Sequence, residues 1–381
     1  GLAAIPMYLI VRWAFQNEWA AVFFSTAFLL LPPVISQHVN QVEEPSFLPV
    51  FLLYVFLFFL QRRFGAFLLM ALVSCLNREN APLAVAMFGV WALFEKRDWK
   101  WVVAPIALGA LYFGLVTFWA IPYFREGQPW KVSQQFGHLG AGPAEIVTNF
   151  FRKPELALNQ IFNFDTGQYL TLLLQPMGWL LPLTHFAAMV ALPDLAANIL
   201  SSNNALRFIP WHYNLITSSS LFVALVLSLR KVDAMLQNRG KQKVGVALIG
   251  GGAVALALAH WPLWFQPQFY QKLPYHDTLV RALAAVPPNK SVMTPVRLTG
   301  HVARRESFSA LGIVERRPKY AALFEYVVLD ANDRRYLPVV TPELFGKFYK
   351  NPSYQLVFAE NNVFVFRRVG DAPDWSYFRP E

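Results

Sequence analysis

Apolar runs separated by short polar intervals recur along the chain at Leu2–Phe15, Trp19–Ile35, Phe47–Leu60, Phe64–Leu76, Ala81–Phe94 and Trp101–Ile121. After a longer polar interval come Tyr169–Leu183, Thr184–Leu200, Leu215–Leu229 and Val244–Phe265. Apolarity sustained over such lengths, without strand alternation, predicts helices buried in lipid or protein. The fold expected is a polytopic α-helical membrane protein with about 10 apolar helices or half-helices. Several runs fall short of the roughly 20 residues that a straight spanning helix needs. Those suit half-helices or re-entrant segments lining a cavity, with Pro32-Pro33, Pro82, Pro176 and Pro182 as break points.

From about Tyr275 the pattern becomes that of a soluble domain. It predicts a helix at Thr278–Val286, a strand at Ser291–Thr294, a helical piece at Pro295–Ala303 and a strand at Glu325–Leu329. A helix at Pro342–Lys350 and a hairpin of Tyr354–Ala359 with Asn362–Arg368, split by Glu360-Asn361, complete a small α/β sheet. The expected division is a transmembrane helical domain over 1–265, with an extracytoplasmic loop region at 122–168, and an extracytoplasmic soluble α/β domain over 266–381. Within that loop region Ala144–Phe151 reads as an amphipathic helix, and Phe150, Phe151, Phe162 and Phe164 suit segments lying along a membrane surface.

Composition supports the membrane class: 55% of the 381 residues are hydrophobic and 15% charged, against roughly 25% charged in soluble domains. The formal charge of +10 raises nucleic acid as a partner. The Lys and Arg fall instead in clusters between apolar runs, as cytoplasmic loops do, so no nucleic acid is expected. Cys75 is the single cysteine, which excludes an internal disulfide and a cysteine metal site. Gly1 already stands inside an apolar run, which reads as a start within a larger membrane domain and not as a signal peptide.

Arg62-Arg63, Lys96-Arg97 with Lys100, and the five Lys/Arg of Arg230–Lys243 set the orientation. With these in the cytoplasm, the crossings close if Tyr169–Leu200 is two short passes. Gln37–Ser46, Asn77–Asn80, Pro122–Gln168, Ser201–Asn214 and the C-terminal domain then lie outside, in a cell or plasma membrane.

Most of the unusual polar residues fall in those outer intervals. Arg78-Glu79, inside Leu76–Pro82 between two apolar runs, is the leading candidate. A pair at that depth is costly unless it faces a protein interior or an aqueous cavity; the plainer reading is an outer turn whose charges sit in water. Arg78 suits a phosphate, with Glu79 orienting it or acting as base. Glu43-Glu44, after His38, suits a base or a divalent cation carrying a phosphate ligand, beside the plainer reading of an acidic loop. His212, between Trp211 and Tyr213, suits a phosphate donor or a proton carrier, or else an interfacial aromatic cluster. His138, in Gly137–Gly140, is a further substrate-binding candidate or a structural turn. His301 with Arg304-Arg305 suits an acidic headgroup or a solvated face.

NREN (77–80) resembles the K/R-E-D/N motif of the DUF2079 family of uncharacterised membrane proteins. The resemblance continues in order through HLGAGPAEIV (138–147), LLLQPMGWLLPL (172–183), NIL (198–200), WHYN (211–214), SVMTPVRLTGHVARR (291–305) and EYVVLD (325–330). The family is similar to the GT-C glycosyltransferases, which implies lipid-phosphate sugar donors and an extracytoplasmic site beneath a soluble domain. Arg78, Glu79, His212 and Tyr213 match family motif positions. Asn80 departs where an acid is common, and the resemblance places the acidic catalytic loop ahead of Gly1.

Three readings follow. The first is a transferase using a polyprenyl-phosphate-linked sugar, with Glu44 or Glu79 as base or metal ligand, Arg78 and Arg207 on phosphate, His212 assisting and Tyr213 contacting substrate. The second is a transporter, for which broken helices and buried charge are equally natural. The third is a non-catalytic scaffold.

Overall fold

The structure is a computed structural model that describes residues 1–39, 44–125, 135–140, 142–209, 212–237, 251, 272–311, 324–333 and 340–370. The chain divides into two compact units, Gly1–Phe269 and Tyr270–Glu381.

The first unit is helical. Helices α1 (Ala4–Phe15), α2 (Glu18–Leu29), α3 (Pro32–Val39), α4 (Leu48–Leu60), α5 (Phe64–Asn77) and α6 (Ala81–Phe94) form its first half. Helix α7 (Trp99–Leu115) continues through a π turn, Val116–Ala120, to Phe124. Among the described residues two helices are long and apolar enough to cross a membrane: Trp99–Phe124 and His212–Leu236. They differ in surroundings. The first is largely exposed, presenting Leu111, Leu115, Phe118 and Trp119 outward; the second is largely buried. Where ten spans were expected, α1, α2, α4, α5 and α6 have 12, 12, 13, 14 and 14 residues. At about 1.5 Å per residue each covers roughly 20 Å, short of a hydrocarbon core of about 30 Å. The run Val244–Phe265 lies outside the described residues apart from Gly251.

Helices α6 and α7 pack closest, and glycine permits it. A Cβ on Gly109 would run into the Pro82 carbonyl oxygen and stand 2.8 Å from the Ala86 Cβ; one on Gly89 would meet the Val102 carbonyl and Ile106. Small residues at such crossings let backbones approach where lipid supplies no hydrophobic drive. Gly109→Leu is therefore expected to lower the thermal midpoint of the full chain in detergent, at an overpacking cost of about 1–3 kcal/mol. Gly114→Leu is the control, because its added Cβ meets nothing within 4 Å. Equal midpoints for the two variants would remove the close crossing.

The segment expected to make two short passes has α-helix only at its two ends, with three 3₁₀ turns between. After α8 (Pro143–Arg152), α9 (Pro154–Ile161) and α10 (Phe164–Leu174), the chain runs through Gln175–Met177, Leu181–Thr184 and Phe186–Ala191 into α11 (Leu192–Leu200). Pro176, Pro182 and the left-handed Gly178 (φ 73°) prevent a continuous α-helix. A 3₁₀ turn rises about 2.0 Å per residue, so the stretch reaches further than an α-helix of equal length. The contacts trace its path along α12 (Leu215–Gln237). Tyr169 meets Asn214, Thr184 meets Ser228 further along α12, and Asp194 meets Thr217 back near its start.

The unit thus has two poles. At one, Arg97 stacks on Phe59 at 3.7 Å and donates to the Phe59 carbonyl at 2.6 Å, Lys100 lies over Phe64, and Arg230 lies over Trp13. At the other lie Arg78, Asp194 and His212. About 13 residues of α12 separate Thr217 from Arg230, roughly 20 Å.

The second unit carries a five-stranded sheet, β1 (Val292–Thr294), β2 (Phe308–Ala310), β3 (Tyr326–Asp330), β4 (Tyr354–Glu360) and β5 (Val363–Arg368), in the order β2-β1-β3-β5-β4. β1 is parallel to β2 and β3, while β3–β5 and β5–β4 are antiparallel. Strand alternation gives the sheet two apolar faces. Met293, Val327, Leu329 and Phe366 pack with Leu344 and Phe348 of the helix Pro342–Tyr349; Val292, Val328 and Val365 pack with Leu279 and Ala282 of His276–Ala284. The hairpin turn falls one residue later than expected, on Asn361-Asn362 (φ 46° and 59°), because asparagine tolerates the left-handed pair that such turns require. The expected helix Pro295–Ala303 is a 3₁₀ turn, Val296–Leu298, followed by one turn of α-helix, Thr299–Val302.

Candidate functional site

Helix α5 ends at Asn77 because Arg78 turns to extended backbone (φ −155°, ψ 145°), and Pro82 in the first turn of α6 fixes where the next helix starts. The turn Arg78–Asn80 therefore projects at one pole of the bundle. The expected Arg78–Glu79 ion pair does not form. Arg78 donates through Nη1 to the His212 carbonyl oxygen at 3.1 Å, and its guanidinium carbon lies 5.3 Å from the centre of the Tyr213 ring. That leaves most of the five guanidinium donors open toward a half-buried surface. Glu79, half-buried beside it, holds no hydrogen bond or ion pair among the described residues. The His212 and Tyr213 rings lie 4.3 Å apart.

Beneath Arg78 sits a carboxylate that the sequence reading did not select. Asp194 is 3% exposed; its Oδ1 accepts from Asn80 Nδ2 at 2.6 Å, and its Oδ2 accepts from Thr217 Oγ1 at 2.7 Å and Thr217 N at 3.2 Å. It ties the Arg78–Asn80 turn, α11 and the start of α12 into one piece, and it interacts electrostatically with Arg78 and Glu79. A second polar cluster adjoins it. Buried Tyr169 donates to Asn214 Oδ1 at 2.8 Å, Asn198 donates to the Tyr213 carbonyl at 3.1 Å, and Asn214 donates to the Phe208 carbonyl at 3.1 Å. A signal for Asp194 was present: one carboxylate inside the apolar run Thr184–Leu200.

Among the described residues none of the remaining candidates hydrogen-bonds to Arg78, Glu79 or Asp194. Arg207 is 8% exposed; it donates to the Ile199 carbonyl at 2.8 Å, the Ser201 carbonyl at 3.2 Å and Asn204 Oδ1, which makes it a brace of its own loop. His138 is exposed on the turn 135–139, which is held through Gln135 by Ser202 and through Leu139 by Asn149. Glu44 opens a 3₁₀ turn, Glu44–Phe47, but its side chain and that of His38 lie outside the described residues, as does Glu43 entirely. Among the described residues no group of three or more His, Cys, Asp or Glu forms a cation cage. The His301 and Arg304-Arg305 group belongs to the second unit, where Arg305 donates to the Val286 and Lys290 carbonyls at 2.9 and 3.1 Å.

The arrangement sets a forked cation, with donors that no described residue takes up, beside a carboxylate unpaired among the described residues and an aromatic ring near the cation. A search of curated proteins finds no match to this chain. The family model described as "Predicted membrane protein (DUF2079)" matches residues 1–345, which takes in the Arg78 turn, α11, the start of α12 and three of the sheet's five strands. The chain belongs to the DUF2079 family of predicted membrane proteins.

Proposed function

We propose that this protein is a multi-pass glycosyltransferase of GT-C type that takes a sugar from a polyprenyl-phosphate donor at its Arg78 pole, on the extracytoplasmic face. The observation that carries the reading is the open Arg78 guanidinium with unpaired Glu79 beside it. Arg78 holds the donor phosphate through its free donors and stabilises the charge that grows there as the sugar–phosphate bond breaks. Glu79 takes the proton from the acceptor hydroxyl as its oxygen bonds to the sugar carbon. His212 assists at the phosphate, and Tyr213 keeps the guanidinium in place.

One feature supports the placement. The basic side chains near Arg62-Arg63, Lys96–Lys100 and Arg230 gather at the opposite pole, as cytoplasmic anchors do. The division into a transmembrane part over 1–265 and an extracytoplasmic part over 266–381 follows from the same orientation.

The test is sugar transfer by the full chain in lipid vesicles carrying a radiolabelled polyprenyl-phosphosugar. Glu79→Gln should retain donor binding and lose transfer by about 10²-fold or more, the range of general-base effects. Transfer at the parental rate would sink Glu79 as base. Absence of transfer from any polyprenyl-phosphosugar, with no donor bound by the parent, would sink the transferase reading.

A further inference from the structure

Helices α8 and α9 meet at Lys153, which ends one and precedes the other, and α10 follows after Asn163. Their exposed face mixes large aromatic side chains with the charged Glu145, Arg152, Lys153 and Glu155. Phe151, Phe162 and Phe164 are 78%, 80% and 82% exposed, with Phe150 and Leu158 also outward. Three polar side chains turn inward. Asn149 donates to the Leu139 carbonyl at 2.8 Å, Asn163 caps α10 through Thr166 N and donates to the Gln160 carbonyl, and the fully buried Thr166 donates to Gln160 as well. Large aromatics outward with amides inward is stable where the surroundings are apolar, and phenylalanine beside exposed Arg152 and Lys153 matches the acyl–headgroup boundary.

The location narrows the occupant. Asp165 on α10 accepts from Asn204, and Gln135 ahead of α8 accepts from Ser202; both partners lie in the loop that Arg207 braces between α11 and α12. The aromatic face therefore belongs to the Arg78 pole of the same helical unit, in a chain of a membrane protein family.

We infer that α8, α9 and the start of α10 form an interfacial anchor whose phenylalanines enter the lipid surface and fix the depth at which the Arg78 pole meets the headgroups. Sugar transfer is not assumed: the anchor stands or falls on where these side chains sit.

The single cysteine makes the test direct. Cys75 is buried, so in a Cys75→Ala background one introduced cysteine carries the label alone. Phe151→Cys, Phe162→Cys and Phe164→Cys, each exposed and thus tolerant of a nitroxide, are reconstituted as the full chain in phosphatidylcholine–phosphatidylglycerol vesicles. Leu111→Cys on α7 is the lipid-facing control and Glu343→Cys, an exposed position in the second unit, the aqueous one. The three phenylalanine sites should shift toward oxygen accessibility and away from a water-soluble nickel chelate, to a depth shallower than Leu111→Cys. Nickel access equal to the aqueous control would overturn the anchor. Low access to both reagents would also overturn it, because protein would then cover the face: another part of this chain, a second copy or a partner.

Discussion

Arg78→Ala should release polyprenyl phosphate from the protein while leaving it folded. The parental guanidinium offers one backbone hydrogen bond to the His212 carbonyl and keeps its other donors open. A phosphate engaging them gains charge-assisted hydrogen bonds worth about 1.5–3 kcal/mol each. Losing one to two of these lowers affinity by roughly 10- to 10⁴-fold, at 1.4 kcal/mol per tenfold. Arg78→Lys should fall between: the charge remains, but a point ammonium lacks the planar fork and stacks less well on Tyr213. Native mass spectrometry of the full chain in lipid nanodiscs, with thermal midpoints measured in parallel, reads both quantities. Equal occupancy in parent and both variants would remove Arg78 from the phosphate.

Part of this site was legible because it is local. A charged pair between two apolar runs, with a proline to restart the helix, marks the Arg78–Asn80 turn without any tertiary information. The partners were not legible. His212 is 134 residues from Arg78, and Asp194 is 114 from Asn80, so periodicity and spacing carry no signal for either contact. Charge pattern alone also gave no sign that the Arg207 guanidinium donates to the carbonyls of its own loop.

The same split governs the fold. Apolar runs located α4, α5 and α6 to within a few residues, since each is a continuous stretch bounded by polar turns. The run Tyr169–Leu200 has the same composition but is broken between α10 and α11 by three 3₁₀ turns, because its prolines and Gly178 interrupt the α-helical hydrogen bonds. Strand β2 was missed: three partly exposed residues on a sheet edge carry no alternation to detect.

Asp194 gives the sharpest stability contrast, because its two partners differ in what they can rearrange. Asp194→Ala strands Asn80 Nδ2, Thr217 Oγ1 and Thr217 N in a place closed to water. Removing one side of a buried charged cluster costs about 3–5 kcal/mol, a large share of the 5–15 kcal/mol that holds a typical domain. Asp194→Asn has a way out. Its oxygen can still accept from Thr217, and its new amide can donate to Asn80 Oδ1, which is buried and makes no hydrogen bond in the parent. The carboxamide pair thus replaces the carboxylate contact once Asn80 rotates its amide, and the cost should stay within about 1.5 kcal/mol, one ordinary hydrogen bond. Tryptophan-fluorescence melts of the full chain in detergent should place Asp194→Asn near the parent and Asp194→Ala far below. Asn80→Ala combined with Asp194→Asn tests the route, since without the Asn80 oxygen the asparagine at 194 loses its partner and its tolerance. If the alanine and asparagine variants melt together, whether high or low, Asp194 does not join the Arg78 turn to α12 through the bonds described.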